Sequence, residues 1–270
     1  MSNSWRGLCL KTTREHVADE LLRLAKSRGY SVVRYADRLD QPALVNVWEA
    51  GIEGRLDTLE VFFLLTANGQ WTRLIGLDFD AMALPRLFYS YELVMLLGCD
   101  AFECGFADRI AWWYSYFEKG LIVDRFCSDP LMALHDFMDK IWGPDDPRII
   151  YGRCAGLERL QEIPALPIPV QQQLQGHLEK LIPILKPSHA QQLSDILQEK
   201  HPAHAIDRLS QVIALPHIGE FTTVTFLEDF ASVRMRGEPT PDWITAPLEQ
   251  GLGLVMLRHP KYALLGRRSQ

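Results

Sequence analysis

The sequence predicts an α+β protein: a mostly antiparallel sheet with packed helices, followed by a mainly helical C-terminal part. Three observations carry that prediction. Strand-like runs at Ala101–Phe106, Ile110–Phe117 and Leu121–Phe126 are separated only by Ala107-Asp-Arg109 and Glu118-Lys-Gly120. Connections that short force antiparallel neighbours. Upstream, Asn68-Gly69 joins Glu60–Leu65 to Trp71–Leu77, and both turn residues accept the positive φ that a tight hairpin needs. Beyond residue 169, Leu174, Leu178, Leu181, Leu185, Leu193, Leu197 and Leu209 recur at helical spacing, which predicts a small helical layer.

The elements follow in order. Ser4–Leu10 reads as a strand. Thr12 or Thr13 caps the next helix, in which Val17, Leu21, Leu24 and Ala25 share a face and which Gly29 ends. Ser31–Tyr35 reads as a second strand. Residues 36–57 form a mixed connection. Glu60–Leu65 is apolar on both faces and is therefore predicted to be central. Pro85 opens a helix through Leu97, stopped by Gly98. After the meander, Leu131–Trp142 reads as a helix, ended by the breaker cluster Gly143–Pro147. The prolines in Pro164–Pro169 keep the chain extended. Helices are predicted over Val170–Leu181, His189–Lys200 and Ala203–Leu215, and a late strand over Phe221–Phe226, where threonines alternate with apolar residues. The Pro- and Gly-rich stretch from Pro239 on has no pattern that assigns it. The implied organisation is a sheet domain over 1–142, a Pro-rich connection over 143–168, and a mainly helical part over 169–270 that packs on the sheet or forms a small lobe.

Composition narrows the function classes. The chain has 270 residues, 47% hydrophobic and 23% charged, enough for a substantial core. Its net charge of −6 argues against the broad positive field that binds phosphates, so no nucleic-acid partner is expected. The compact basic cluster Arg258–Lys261 with Arg267-Arg268 reads as a solvated tail. The N-terminus has no apolar secretory core, and Leu93–Leu97 is far too short to span a bilayer; a cytoplasmic protein without a membrane partner is expected. Five cysteines without a Cys-x-x-Cys pair read as reduced, mostly buried thiols rather than a disulfide framework or zinc site.

Several residue groups could carry chemistry. Asp78 and Asp80, two apart at a strand end, could hold a divalent cation or serve phosphoryl transfer or hydrolysis; a chance pair in a polar loop is the plainer reading. His135 and Asp139 share a helix face with Asp136 nearby, as metal-dependent hydrolases of the His-Asp kind use, and a solvated i,i+4 hydrogen bond is the plainer reading. His201 and His204 flank Pro202, which marks a helix start. Cys127 and His135 form the first dyad to inspect, since such partners meet in space and not in sequence. No phosphate loop, nucleophile elbow or His-Glu-x-x-His motif occurs, and no cofactor is implied. The aromatics differ in kind. Trp112, Tyr114 and Tyr116 point to one face of their strand, and Trp113, Ser115 and Phe117 to the other. The first three are binding anchors if that face is open, and core if the helical part covers it.

The set Asp108, Trp112, Tyr114, Phe117, Gly120, Asp124-Arg-Phe126, Ser128 and Pro130 resembles a pattern in uncharacterised bacterial cytoplasmic proteins, and is similar in style to compact α+β immunity proteins of bacterial toxin systems. The resemblance spans Leu84–Pro130 and brings no catalytic residue with it. The absent catalytic motifs, the acidic charge and the aromatic-rich sheet lead to the expectation of a non-enzymatic protein-binding role, such as that of an immunity or antitoxin-type inhibitor, in which an acidic inhibitor masks a basic toxin. A metal-dependent hydrolase or phosphoryl-transfer enzyme using Asp78 and Asp80, and a small-molecule sensor, are the alternatives.

Overall fold

The computed structural model describes residues 5–52, 59–67, 70–76, 90–107, 111–129, 172–186, 189–199, 201–213 and 223–258. Within them the fold is α+β, with antiparallel strands throughout the paired ladders and helices predominating in the C-terminal part. The chain divides into two compact units, one made of Met1–Leu10 with Phe88–Glu220, the other of Lys11–Leu87 with Phe221–Gln270. Each unit is therefore assembled from two separate stretches of chain.

In the first unit, β1 (Trp5–Leu10), β5 (Ala101–Ala107), β6 (Ala111–Glu118) and β7 (Leu121–Cys127) lie side by side in that order. The predicted meander is present. Its second turn is tight: Glu118 pairs with Leu121, and the two residues between them, Lys119 and Gly120, have φ of 49° and 85°. Two successive positive φ values match the right-handed twist of the flanking strands, which is why such turns close hairpins. Strand β6 is buried from Ala111 through Phe117, as large aromatics on both of its faces require. One face packs against a helix at Pro202–Val212. On the other, Glu103 pairs across the strands with Ser115 and accepts a hydrogen bond from Ser90, the first residue of α3 (Ser90–Leu97). The leucine-rich segment contributes α4 (Leu178–Leu181), α5 (Ala190–Leu197) and α6 (Pro202–Val212). Leu174, Leu181, Leu193 and Leu209 are buried, and so is Ile206.

Here one expected helix is shorter than its pattern. Over the described part of Val170–Leu181, Gln172 is helical, the helix is interrupted over residues 173–177, and it resumes at Leu178. Gly176 has φ +71°, Gln175 bridges to Phe126, and His177 is extended. Tertiary pairing of Gln175 with β7 breaks the helical run that the sequence pattern alone would continue.

In the second unit the strand order is β2 (Ser31–Ala36), β8 (Gly253–Arg258), β3 (Leu59–Ala67) and β4 (Trp71–Gly76). The β3–β4 hairpin pairs from Phe62↔Gly76 to Ala67↔Trp71. Helix α1 (Arg14–Ser27) is capped by Thr13, whose hydroxyl accepts from the His16 backbone N–H, and it buries Val17, Ala18, Leu21, Leu24 and Ala25. A cluster including Leu44, Val61, Phe63, Ile75, Phe230 and Leu254 forms a core with α2 (Gln41–Ile52) and α7 (Thr223–Arg236). Strand β3 is thus buried on both sides and central, as its apolar run implied.

Two differences from expectation sit in this unit. The strand expected over Phe221–Phe226 is helical from Thr223 on. Phe226, Phe230 and Val233 stand at helical spacing, and Phe230 and Val233 are buried. A six-residue alternation of Thr and apolar residues is a weak local preference that a longer amphipathic period overrides. The unassigned stretch after Pro239 holds α8 (Asp242–Glu249) and β8, and β8 is an inner strand, flanked by β2 and β3.

Candidate interaction site

The sequence-derived candidates meet different fates. Asp78, Asp80, His135, Asp136 and Asp139 lie outside the described residues, and with His135 goes the Cys127–His135 pair. Cys127 itself is buried at the end of β7, its thiol donating to the Asp129 carbonyl at 3.3 Å. Cys9 and Cys104 are buried in β1 and β5. His201 and His204 are exposed, their rings 4.3 Å apart between centroids and tilted by 31°. Among the described residues no group of three or more His, Cys, Asp or Glu is placed to hold a metal ion. No described helix is long and apolar enough to cross a membrane.

Trp112, Tyr114 and Tyr116 are 0%, 1% and 1% exposed, so the face they share is core. The Trp112 indole N–H donates to the Glu199 carbonyl at 3.1 Å. Tyr114 stacks between Phe102 and Phe126, at 5.6 and 5.7 Å between centroids. These aromatics fix the unit's interior and present nothing to a partner.

Burial of Tyr114 brings together a cluster that sequence reasoning missed. The Tyr114 hydroxyl donates to the Asp124 carboxylate at 2.8 Å. The same carboxylate accepts the His177 backbone N–H at 2.9 and 3.1 Å, and the His177 ring nitrogen Nδ1 lies 2.9 Å away. Asp124 is almost fully buried whereas the imidazole is half exposed. Burial, then the Asp124 charge and hydrogen bond, push the Tyr114 phenol well above its ordinary range. The carboxylate beside Nδ1 orients the imidazole ring. Gly176 makes the approach feasible, because a Cβ there would stand 2.5 Å from the Tyr114 hydroxyl. The cluster's most direct effect is to fasten residues 174–177 to β7, together with the Cys127 N–H to Leu174 carbonyl bond at 2.9 Å. Asp124 inside an apolar strand was the only signal of it in the sequence; its partner lies 53 residues on.

The surface that stands open lies at the other end of the same hairpin. Leu121 is 68% exposed and Ile122 39%, while Met95 and Leu96 of α3 are 57% and 39% exposed. The turn is held against α3: a Cβ on Gly120 would come within 3.2 Å of the Met95 Cα, and the Gly120 N–H donates to the Cys99 carbonyl at 2.9 Å. Residues 174–177 cover the far half of β7. Among the described residues no strand pairs with the outer side of its near half. Single exposed apolar residues are ordinary; four on adjoining segments make this junction the candidate interaction surface. In the other unit, Val32, Val33 and Tyr35 are also exposed on β2. There the pairing register shifts at Val33, and such a bulge bends an edge away from partners.

Comparison with protein-family models, with curated proteins and with solved structures finds no match to this chain.

Proposed function

We propose that this chain is a non-enzymatic protein-binding protein, of the kind that inhibits a partner by masking it, as an immunity or antitoxin-type inhibitor masks a bacterial toxin. The observation that carries this reading is the exposed apolar group Met95, Leu96, Leu121 and Ile122 on the braced α3–hairpin surface. Interfaces draw most of their affinity from a few apolar or aromatic anchors on a rigid frame. The tight Lys119-Gly120 turn and the bonds at Cys99 and Asp100 supply that frame. Anchors held in place before binding lose little conformational entropy on association.

The test is affinity capture with the full chain expressed in its native host, beside the variant Leu121→Asp. A partner recovered with the parent protein and lost with the variant supports the reading. If no specific partner is recovered, while the purified protein turns over a small molecule, the reading fails. The metal-dependent alternative separates cleanly: a thermal shift with Mg²⁺ or Mn²⁺ that disappears in Asp78→Ala would favour it over masking.

A further inference from the structure

A register shift in the second unit brings two arginines together. Strand β2 carries one extra residue against β8: Val32 pairs with Leu257, Arg34 pairs with Met256, and Val33 is left between them. Residues paired directly across an antiparallel ladder share a face, and so do residues two apart on one strand. Arg34 is therefore on the face of Met256, and Arg258 is on that face as well. Without the extra residue, Val33 would pair with Met256 and Arg34 would turn to the opposite face. Re-aiming a side chain is a recurrent use of such bulges. Ser31 pairs with Arg258 from one side and Leu59 from the other, so a hydroxyl stands on this face beside the arginine. Arg34 and Arg258 are diagonal neighbours, roughly 7–8 Å apart at the backbone, a gap that two arginine side chains can close onto one ligand.

Both arginines sit at the margin of the unit's core. Leu59, Val61, Leu254 and Met256 on the same face are buried, whereas Arg34 and Arg258 are partly exposed. An arginine so placed keeps its stem on apolar surface and its charge at the rim. The Nε of Arg258 is nevertheless buried, and it has no hydrogen-bond partner. Among the described residues neither Arg34 nor Arg258 has a carboxylate partner. Glu60, the nearest acid in the ladder, pairs with Leu257 and accepts the Tyr30 hydroxyl, and so belongs to the other face.

We infer that Arg34 and Arg258, with the Ser31 hydroxyl, bind the phosphoryl group of a small phosphorylated molecule at the β2–β8 margin. Guanidinium forks match phosphate oxygens in pairs, and an anion between two neighbouring cations offsets their repulsion. It also supplies the acceptor that the Arg258 Nε lacks. Two arginines and one hydroxyl suit a single phosphoryl group. A nucleic-acid strand fits less well, because a chain of net charge −6 repels a polyanion. Arg258 opens the basic cluster that reads as a solvated tail in the sequence, but it ends an inner strand and is anchored there. The site belongs to the second unit, so it stands or falls separately from the masking proposal.

The experiment follows thermal unfolding of the full-length protein in rising inorganic phosphate, against sodium chloride at matched ionic strength. Arg34→Gln, Arg258→Gln and Arg258→Lys are measured beside the parent protein. Arg23→Gln, on the exposed side of α1, controls for loss of one positive charge. Phosphate that binds the folded state raises the midpoint by mass action. The expected result is a rise over chloride that both glutamine variants lose and Arg23→Gln keeps. Arg258→Lys retains the charge without the fork, so about tenfold more phosphate should be needed for the same shift. If Arg258→Gln does not fold, Arg34→Gln, on the exposed strand β2, decides the matter. A shift that chloride reproduces, or that survives in Arg34→Gln, overturns the inference. An equal shift with sodium acetate overturns it too, by making the ligand a carboxylate. A single-stranded oligonucleotide that binds tighter than phosphate, and is lost in the same variants, would assign the site to a polymer instead.

Discussion

Strands β6 and β7 are neighbours in one hairpin, and their side chains have opposite fates. Seven consecutive residues of β6 are buried, including two tryptophans and two tyrosines. In β7, Leu121 and Ile122 stand in solvent although they are as apolar as much of the core. Apolar content does not separate the two strands. Position does: β6 has a paired strand on each side and covered faces, whereas among the described residues β7 has a paired strand on one side and is met on the other by residues 174–177 at its far half. The comparison teaches that a strand with large aromatics on both faces is a sign of core, and that exposure here falls on smaller apolar residues at an element's open end.

The widest separation between the two strands is in stability. Trp112→Ala should lower unfolding free energy by about 3–5 kcal/mol, since it empties a large buried volume, and the denaturant midpoint should fall accordingly. A loss below about 1 kcal/mol would mean that the face is not core. Asp124→Ala should cost about 3 kcal/mol, because it strands the Tyr114 hydroxyl and the His177 N–H without their acceptor. Amide exchange at residues 174–177 should accelerate in that variant, while the turn at Lys119-Gly120 stays protected.

A smaller effect links β6 to pH. The folded state holds the Tyr116 proton up to about 12, whereas an unfolded tyrosine releases it near 10. Protonated Tyr116 therefore favours the fold: the contribution is complete below about pH 10 and is lost as pH rises towards 12. Denaturant midpoints at pH 9 and 11.5 should differ less in Tyr116→Phe than in the parent protein; equal slopes would remove this residue as a source. Smallest of all is Leu121→Asp. At a 68% exposed position it should change stability by no more than about 0.5 kcal/mol, even as it abolishes partner capture. A large loss of stability would show that β7's open end is structural after all.

Much of the fold was legible because its signals are local. Short turns fixed the meander, Asn68-Gly69 marked a hairpin, and a doubly apolar run placed β3 at the centre. Strand β8 was not legible in the same way. Its run Leu254-Val-Met-Leu257 follows Gly251 and Gly253 and pairs with strands from the chain's early part, so no neighbouring turn announced it. Its unbroken apolar character was the available clue. The helix at Thr223 was misjudged because a window of six residues cannot separate a period of two from a longer amphipathic one. Of the candidate site, the sequence drew attention to the β6–β7 hairpin, but to aromatics on it that are buried. Which aromatics are covered depends on α6, and the Asp124–His177 contact depends on pairing across distant segments.

The placement of β8 also sets an order of events during synthesis. β2 pairs with β8, and β8 lies between it and β3, so an early segment of the unit must wait for one of the latest. Until β8 leaves the ribosome, β2 lacks its ladder partner and β3 has only β4 among its two neighbours. The second unit consequently completes its sheet only once β8 has been made, and its early strands are the segments a nascent-chain chaperone would have to shield until then.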